Sequence, residues 1–234
     1  MLDTAFEALK KFDWGTDLAV LNPIEDAVIA SHGKPEAAKE LENRLVASLQ
    51  GELSRDAREY VCRKLAAIGT AASVPALSAL LLKSDSSHMA RFALERITAP
   101  EAAQALREAL SQASGGVKIG VIGSLGGRRD SAAVAALAKL LQDADLTIAR
   151  AAALALGSIG TAEAASALQL ALKSSSLNPQ TLIDSILSCA ESLLAGNQRA
   201  ASMAIYQAFA GESQSRLVRL AATRGLLACA GKDA

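Results

Sequence analysis

Two adjacent stretches carry the residue types that bind anions: GGVKIGVIGSLGG, residues 115–127, and directly after it Arg128-Arg129-Asp130-Ser131. A glycine-rich turn cradles phosphate when it follows a strand and opens a helix, because bare backbone amides then converge on the ligand. Gly120, Gly123 and Gly126 lack the GxG opening, no strand pattern precedes them, and no GKS or GKT follows. Spaced by three, they are expected along one face of a helix that packs close to its neighbours, at a propensity cost of about 1 kcal/mol each. Arg128 and Arg129 beside a helix start form the best anion-site candidate. The plainer reading is an exposed turn in which Asp130 or Ser131 caps the next helix.

Other chemistry finds little support. His32 and His88 are the only histidines and neither lies in HExxH, so no metal-ligand set is read. His32 is expected at a helix end before Gly33, and His88 as a surface or inter-repeat hydrogen-bonder. Cys62, Cys189 and Cys229 are far apart, odd in number and free of any CxxC pairing; each reads as a small buried side chain. Ser84, Ser86 and Ser87 read as turn and cap residues, and no Ser/His/Asp grouping supports a nucleophile. The reading is therefore of no enzyme and no cofactor. Trp14, the only tryptophan, is expected to clamp the N-terminal segment onto the first repeat, with partner anchoring as the alternative.

The elements that would position these residues emerge from composition and period. Of 234 residues, 51% are hydrophobic and only 3% aromatic. A core of Ala, Leu, Ile and Val suits closely spaced helices better than a β-sandwich. Charge balances at 24 basic and 24 acidic residues, which lacks the basic field of a nucleic-acid binder. Residues 1–50 hold nine acids and five bases, an acidic bias read as a solvated surface. No charge-free run of 18 apolar residues exists and the N-terminus lacks a signal-peptide pattern, so no membrane contact is expected and the cytoplasm is the default compartment.

The stretch Leu65-Ala-Ala-Ile68-Gly69-Thr70 returns as Leu156-Gly-Ser-Ile159-Gly160-Thr161. Marker leucines 77, 106, 137 and 168 are separated by 29, 31 and 31 residues. Within each unit the pattern is helix, short turn, helix, with apolar residues at i, i+3, i+4 and i+7. First helices are expected near 54–68, 86–97, 115–126, 146–158 and 179–195. Second helices are expected near 71–83, 99–112, 130–142, 161–173 and 197–210, with a last helix near 214–230. Thr98-Ala-Pro100-Glu101 reads as a capping box with an early proline, and Asn178-Pro179 as an N-cap with a first-turn proline. Gly69 and Gly160 read as left-handed helix ends. One such hairpin cannot bury its own apolar faces; stacked copies bury one another. Residues 1–50 read as an irregular helical cap, with helices near 2–12, 16–31 and 35–49 and a break at Asn22-Pro23. The final LLACAGKDA leaves the last helix without its pair, which makes a longer array or an unusual cap the expectation.

The phrase Arg-x-x-Ala-x-x-Ala-Leu-x-x-Ile-Gly, then Ala-x-x-x-Leu-x-x-x-Leu, resembles the HEAT repeat, specifically the short type named after phycobilisome lyases. Arg150 to Leu172 carries it best; His88 and Ile119 stand where the pattern places Arg150. The resemblance covers about residues 51–234. It implies an all-α fold, a right-handed α-solenoid of stacked helix pairs, whose members range from scaffolds to lyase subunits. The hydroxylase chemistry of some HEAT-type proteins needs paired His-Glu motifs that this sequence lacks. In such a solenoid the second helices line the concave face. Their charges here are five bases and five acids with few aromatics, so no nucleic-acid groove is expected. Helical phase places Gln104, Arg107, Lys139 and Gln169 on that face, with Arg128 and Arg129 at its turns. The expected role is a non-catalytic scaffold for a protein or peptide partner. The alternative is an accessory subunit or segment of a larger enzyme, bilin-lyase-like or multidomain.

Overall fold

Leu77, Leu106, Leu137 and Leu168, the four markers of the period, are all fully buried in a computed structural model that describes residues 1–231. Burying each leucine contributes about 1.5–3 kcal/mol. The described residues are helical with connecting turns, and none of them forms a strand. The last three residues of LLACAGKDA lie outside the described residues. The chain divides into two compact units, Met1–Ser124 and Leu125–Ala234, with the division falling inside one helix.

The first unit runs through α1 (Leu2–Leu9), α2 (Asn22–Ala30), α3 (Pro35–Leu49), α4 (Arg55–Ile68), α5 (Val74–Ser78), α6 (Ser87–Arg96), α7 (Pro100–Gln112) and the start of α8 (Gly115–Gly127). Two 3-10 turns, Leu18–Leu21 and Ala71–Ser73, lead into α2 and α5. First helices stack on first helices, as α2 on α4 and α4 on α6. Second helices stack on second helices, as α5 on α7, and α5 also leans on the next first helix, α6. α2 and α3 obey the same contacts: α3 meets both α4 and the turn before α5. The N-terminal segment is thus joined to the stack as a further pair. Four contacts fix it. Ser54 Oγ donates to the Phe12 carbonyl at 2.6 Å, Tyr60 Oη donates to the Leu21 carbonyl at 3.2 Å, the Phe12 and Tyr60 rings lie 6.5 Å apart, and Lys64 pairs with Glu25.

Trp14 takes no part in this joint. It is 92% exposed, on a turn from Asp13 to Thr16 that Gly15 closes at φ +82°. The turn geometry throws the indole outward, and the smaller Phe12 does the clamping expected of it.

The second unit holds the rest of α8, a 3-10 turn Ser131–Ala133, α9 (Val134–Leu140), α10 (Leu146–Ile159), α11 (Ala162–Ser174), α12 (Pro179–Ala195), α13 (Arg199–Phe209) and α14 (Arg216–Cys229). Here α10, α12 and α14 stack in one layer and α9 and α11 in the other. Side-chain caps start most of these helices: Asp145 accepts from the Thr147 amide, Thr161 from Ala164, Asn178 from Gln180 and Ser215 from Val218. Small residues set the spacing. A methyl added at Gly157 would press on the Ser185 backbone of α12, and one at Gly225 would enter the Tyr206 ring of α13. Ser202, fully buried, donates to the Ala190 carbonyl at 2.8 Å and lies 3.6 Å from Cys229 Sγ, tying α12, α13 and α14 together.

Three local expectations are corrected. The Thr98–Glu101 capping box does not form: Ala99 is the N-cap and Pro100 the first helical residue, so proline sets the start one position later than threonine would. Gly69 is extended rather than left-handed, at φ −65° and ψ 144°. The second helices expected at 71–83 and 130–142 each open as a 3-10 turn, which leaves α5 and α9 short.

Candidate functional site

The polar residues that helical phase selects are spread over both units. Gln104 and Arg107 lie on α7. Gln104 is exposed and donates to Glu108 Oε1 of the same helix at 2.8 Å, and Arg107 is half-buried. Lys139 is exposed in the last turn of α9, and Gln169 is half-buried on α11, beside the exposed Leu170. α9 and α11 are stacked neighbours, and Gln142 donates to Ser174 across their ends at 3.2 Å. The structure therefore sets Lys139 and Gln169 on adjacent helices of one unit, and Gln104 and Arg107 together on one helix of the other.

Arg128 and Arg129 close α8. The Arg129 amide donates to the Gly126 carbonyl at 2.9 Å and the Asp130 amide to the Leu125 carbonyl at 3.1 Å. Arg129 adopts φ +52°, so this helix ends in a Schellman motif with arginine where glycine is usual. Asp130 then accepts from the Ala132 amide at 3.3 Å, which is the cap expected of it. Arg129 is exposed and Arg128 half-buried.

The glycine face of α8 divides its work. Gly126 lies against Ala155 of α10, where an added methyl would meet the Ala155 backbone. Gly120 lies against the guanidinium of Arg91 on α6, which a methyl would displace. Gly123 has nothing within contact distance, so the expected close approach along the whole face holds at two glycines of three.

Sequence reading missed the residues opposite Gly120. Arg91 Nη1 donates to the Gly120 carbonyl at 3.0 Å and to Ser124 Oγ at 3.3 Å, while the Ser124 hydroxyl donates to Glu95 Oε1 at 2.6 Å. Burial lowers the Arg91 guanidinium from its ordinary range, with Glu95 opposing that shift. An open cleft of about 440 Å³ lies at the starts of α6 and α8, lined by Ser84, Ser87, His88, Arg91, Ser114 and Gly116 among others. Ser87 Oγ and Arg91 Nε, on two of the lining residues, are closed off from solvent and have no hydrogen-bond partner among the described residues. The expected cap role fits Ser86 by position, yet its hydroxyl turns to Asp85 (2.9 Å) and no side chain caps α6. A legible signal existed: Arg91 and Gly120 are 29 residues apart, one repeat.

A second missed group is structural. Glu42 of α3 is 2% exposed. Its carboxylate accepts from the Thr70 amide (2.7 Å), the Thr70 hydroxyl (3.0 Å) and the Ser73 hydroxyl (2.5 Å). It thereby holds the turn between α4 and α5.

The histidines are both exposed. His32 lines an open groove of about 710 Å³ with Val28, Ile29, Pro35 and Ile68, and His88 lies at the rim of the α6–α8 cleft. All three cysteines are buried and unpaired. Burial pushes the Cys62 and Cys189 thiols up to about 12, where neither is a ready nucleophile. Among the described residues no group of three or more His, Cys, Asp or Glu side chains is placed to hold a metal ion, and no helix is long and apolar enough to cross a membrane.

Helix pairs that touch their sequence neighbours in two layers define a helical-hairpin repeat protein. Residues 103–186 match the family described as HEAT repeats, and residues 88–112 match the PBS lyase HEAT-like repeat. Residues 88–186 are therefore HEAT-like repeats, and helix pairs continue on both sides of the matched residues. Among solved structures it is similar to an engineered protein, at 20% identity over 97% of this chain and 69% of that chain, with a TM-score of 0.42. It is also similar to human deoxyhypusine hydroxylase in complex with glycerol, at 18% identity over 99% of this chain and 96% of that chain, with a TM-score of 0.35. Both likenesses are too loose to transfer a function. No curated protein matches the chain.

Proposed function

We propose that this repeat protein is a non-catalytic scaffold that docks a protein or peptide partner on its helical surfaces. One observation carries the reading: α14 has two apolar arcs, and among the described residues only one of them is packed. Val218, Ala222, Gly225 and Cys229 are buried against the preceding pair. On another arc Leu217, Leu220 and Leu227 are 78%, 56% and 38% exposed, with Arg216 and Arg219 beside them. A helix apolar on two sides is one that something covers, and a cationic margin beside leucines favours an amphipathic segment with acidic flanks. Gln104, Arg107, Lys139 and Gln169, with the Arg128–Arg129 turn, supply further polar contacts on the same reading. They would fix orientation, since such contacts add more to specificity than to affinity.

The test is photo-crosslinking in the native cell from residue analogues placed at positions 217, 104, 139 and 169. The expected result is one protein captured from position 217, and its loss in the double variant Leu217→Asp, Leu220→Asp, whose helical circular dichroism is unchanged. Capture that survives the double variant, or none from any of the four positions, overturns the reading.

A further inference from the structure

We propose that a second copy of this chain covers the open arc of α14 with its own residues 13–20. The inference rests on the docking reading of α14 and names the occupant. α14 carries Arg216, Arg219 and Arg224 and no acid, and its open arc presents Leu217, Leu220 and Leu227. The complement lies in the first unit. Every residue from 13 to 20 is exposed, among them Trp14, Leu18 and Val20. Asp13 and Asp17 stand among these side chains, and the segment holds no base. Lys11 before this segment and Glu212 before α14 lie outside the two surfaces. Leucines against tryptophan, leucine and valine form an apolar centre, and arginines against aspartates form a polar margin of matched sign, the arrangement of a specific interface.

The segment is formed in advance. The Trp14 amide donates to Asp13 Oδ1 at 2.8 Å, the Thr16 amide to the Asp13 carbonyl at 3.0 Å and the Ala19 amide to Asp17 Oδ1 at 2.9 Å. With Gly15 at φ +82°, these bonds hold the indole outward before any partner arrives, so docking orders little backbone. Tryptophan is also the residue type that most often carries interface energy. Charge selects this segment over its rivals. α14 against α14 of a second copy would set arginine against arginine, which costs affinity. Other exposed large apolar side chains stand beside bases, as Leu82 with Lys83, Leu154 with Arg150 and Leu170 with Lys173. Leu146 follows Asp145 but has Arg150 one turn on. The contact joins unlike surfaces, so it is heterologous and each pair of copies still offers one of each. Association therefore passes beyond the dimer unless a ring closes.

The test uses Trp14 as a built-in probe, since it is the only tryptophan. The full chain is taken from micromolar to submillimolar concentration, with sedimentation velocity and tryptophan fluorescence recorded together. The mean mass is expected to rise, while Trp14 emission moves to the blue and its quenching by acrylamide falls. Leu217→Asp with Leu220→Asp should abolish all three changes at unchanged helical circular dichroism. Arg216→Glu with Arg224→Glu, both exposed, should weaken association by about tenfold. Asp13→Asn with Asp17→Asn keeps the Oδ1 acceptors of the turn and should weaken it by about threefold. Combined in one chain, the four charge changes should weaken association by less than the product of the two effects, because the arginine positions then face no aspartate. A chain that stays monomeric overturns the proposal. So does a mass that rises without a shift at Trp14, association that survives the leucine variant, or a combined effect equal to the product. The docking reading is judged apart from this: capture of a different protein from position 217, with the chain monomeric, keeps that reading and removes this one.

Discussion

The tripeptide Ile-Gly-Thr occurs twice, at 68–70 and 159–161, and turns the chain in two different ways. At Gly160 the backbone is left-handed, φ +67°, and its amide donates to the Leu156 carbonyl at 3.1 Å. Thr161 then caps α11 through the Ala164 amide, and the second helix runs unbroken to Ser174. At Gly69 the backbone is extended, and Thr70 is held from outside by Glu42 of α3. The chain then makes a 3-10 turn before a helix of only five residues. Local sequence sets the turn at Gly160; a buried carboxylate 28 residues upstream of Thr70 sets the turn at Gly69. Gly69 is needed for space, because a methyl there would meet the Leu65 carbonyl and Ile97. Gly160 is needed for handedness, and also lies against Ser192.

The strongest way to break this contrast is Glu42→Ala. It leaves the fully buried Ser73 hydroxyl and both donors of the exposed Thr70 without their acceptor, and should destabilise by about 2–3 kcal/mol in urea titration, with Glu42→Gln at about half that. Labelling of buried thiols localises the damage. Cys62 of α4 is expected to react faster in Glu42→Ala, while Cys189, whose thiol faces the Leu156 carbonyl at 3.5 Å, keeps its native rate. Equal acceleration of both would show that the two turns are not independent.

The two glycines come next. Gly69→Ala and Gly160→Ala should each lose about 2 kcal/mol, for different reasons. The reasons separate when asparagine is tried. With Ser192→Gly to clear the contact, Gly160→Asn should be better tolerated than Gly160→Ala, because asparagine accepts positive φ. Gly69→Asn should be worse than Gly69→Ala, because the larger side chain has nowhere to go. Below these, Thr161→Ala removes an ordinary cap, worth about 1 kcal/mol. The smallest effect is common to both units. The Cys62 and Cys189 thiols are held at about 12, above the ordinary thiol value, so the unfolded chain releases protons first as pH rises. Stability is therefore unaffected by these thiols near neutrality and declines above about pH 9, measurable by thermal melts across that range.

The same contrast explains what was legible in the sequence. Features fixed within one turn of helix could be read directly: the Asn178-Pro179 start of α12, the break at Asn22-Pro23, the Asp130 cap, and the Leu77 to Leu168 period that places the core. Features set by a distant partner could not. Nothing local tells Gly69 from Gly160, since the difference is Glu42. Trp14 looked like a clamp by size, but the turn at Gly15 decides where it points. Thr98 had the right spacing for a capping box and lost to the proline two residues on. The glycine-rich stretch was legible as a close-packing helix face, but not the side chain that meets it at Gly120, because Arg91 comes from the previous repeat.

The room at Gly120 also limits how these repeats can drift apart. Any side chain there evicts the guanidinium, and any other residue at 91 leaves a bare groove on α8. The two positions are therefore expected to change together: a duplicated or shuffled copy of one hairpin would keep this contact only beside a neighbour that carries the matching half.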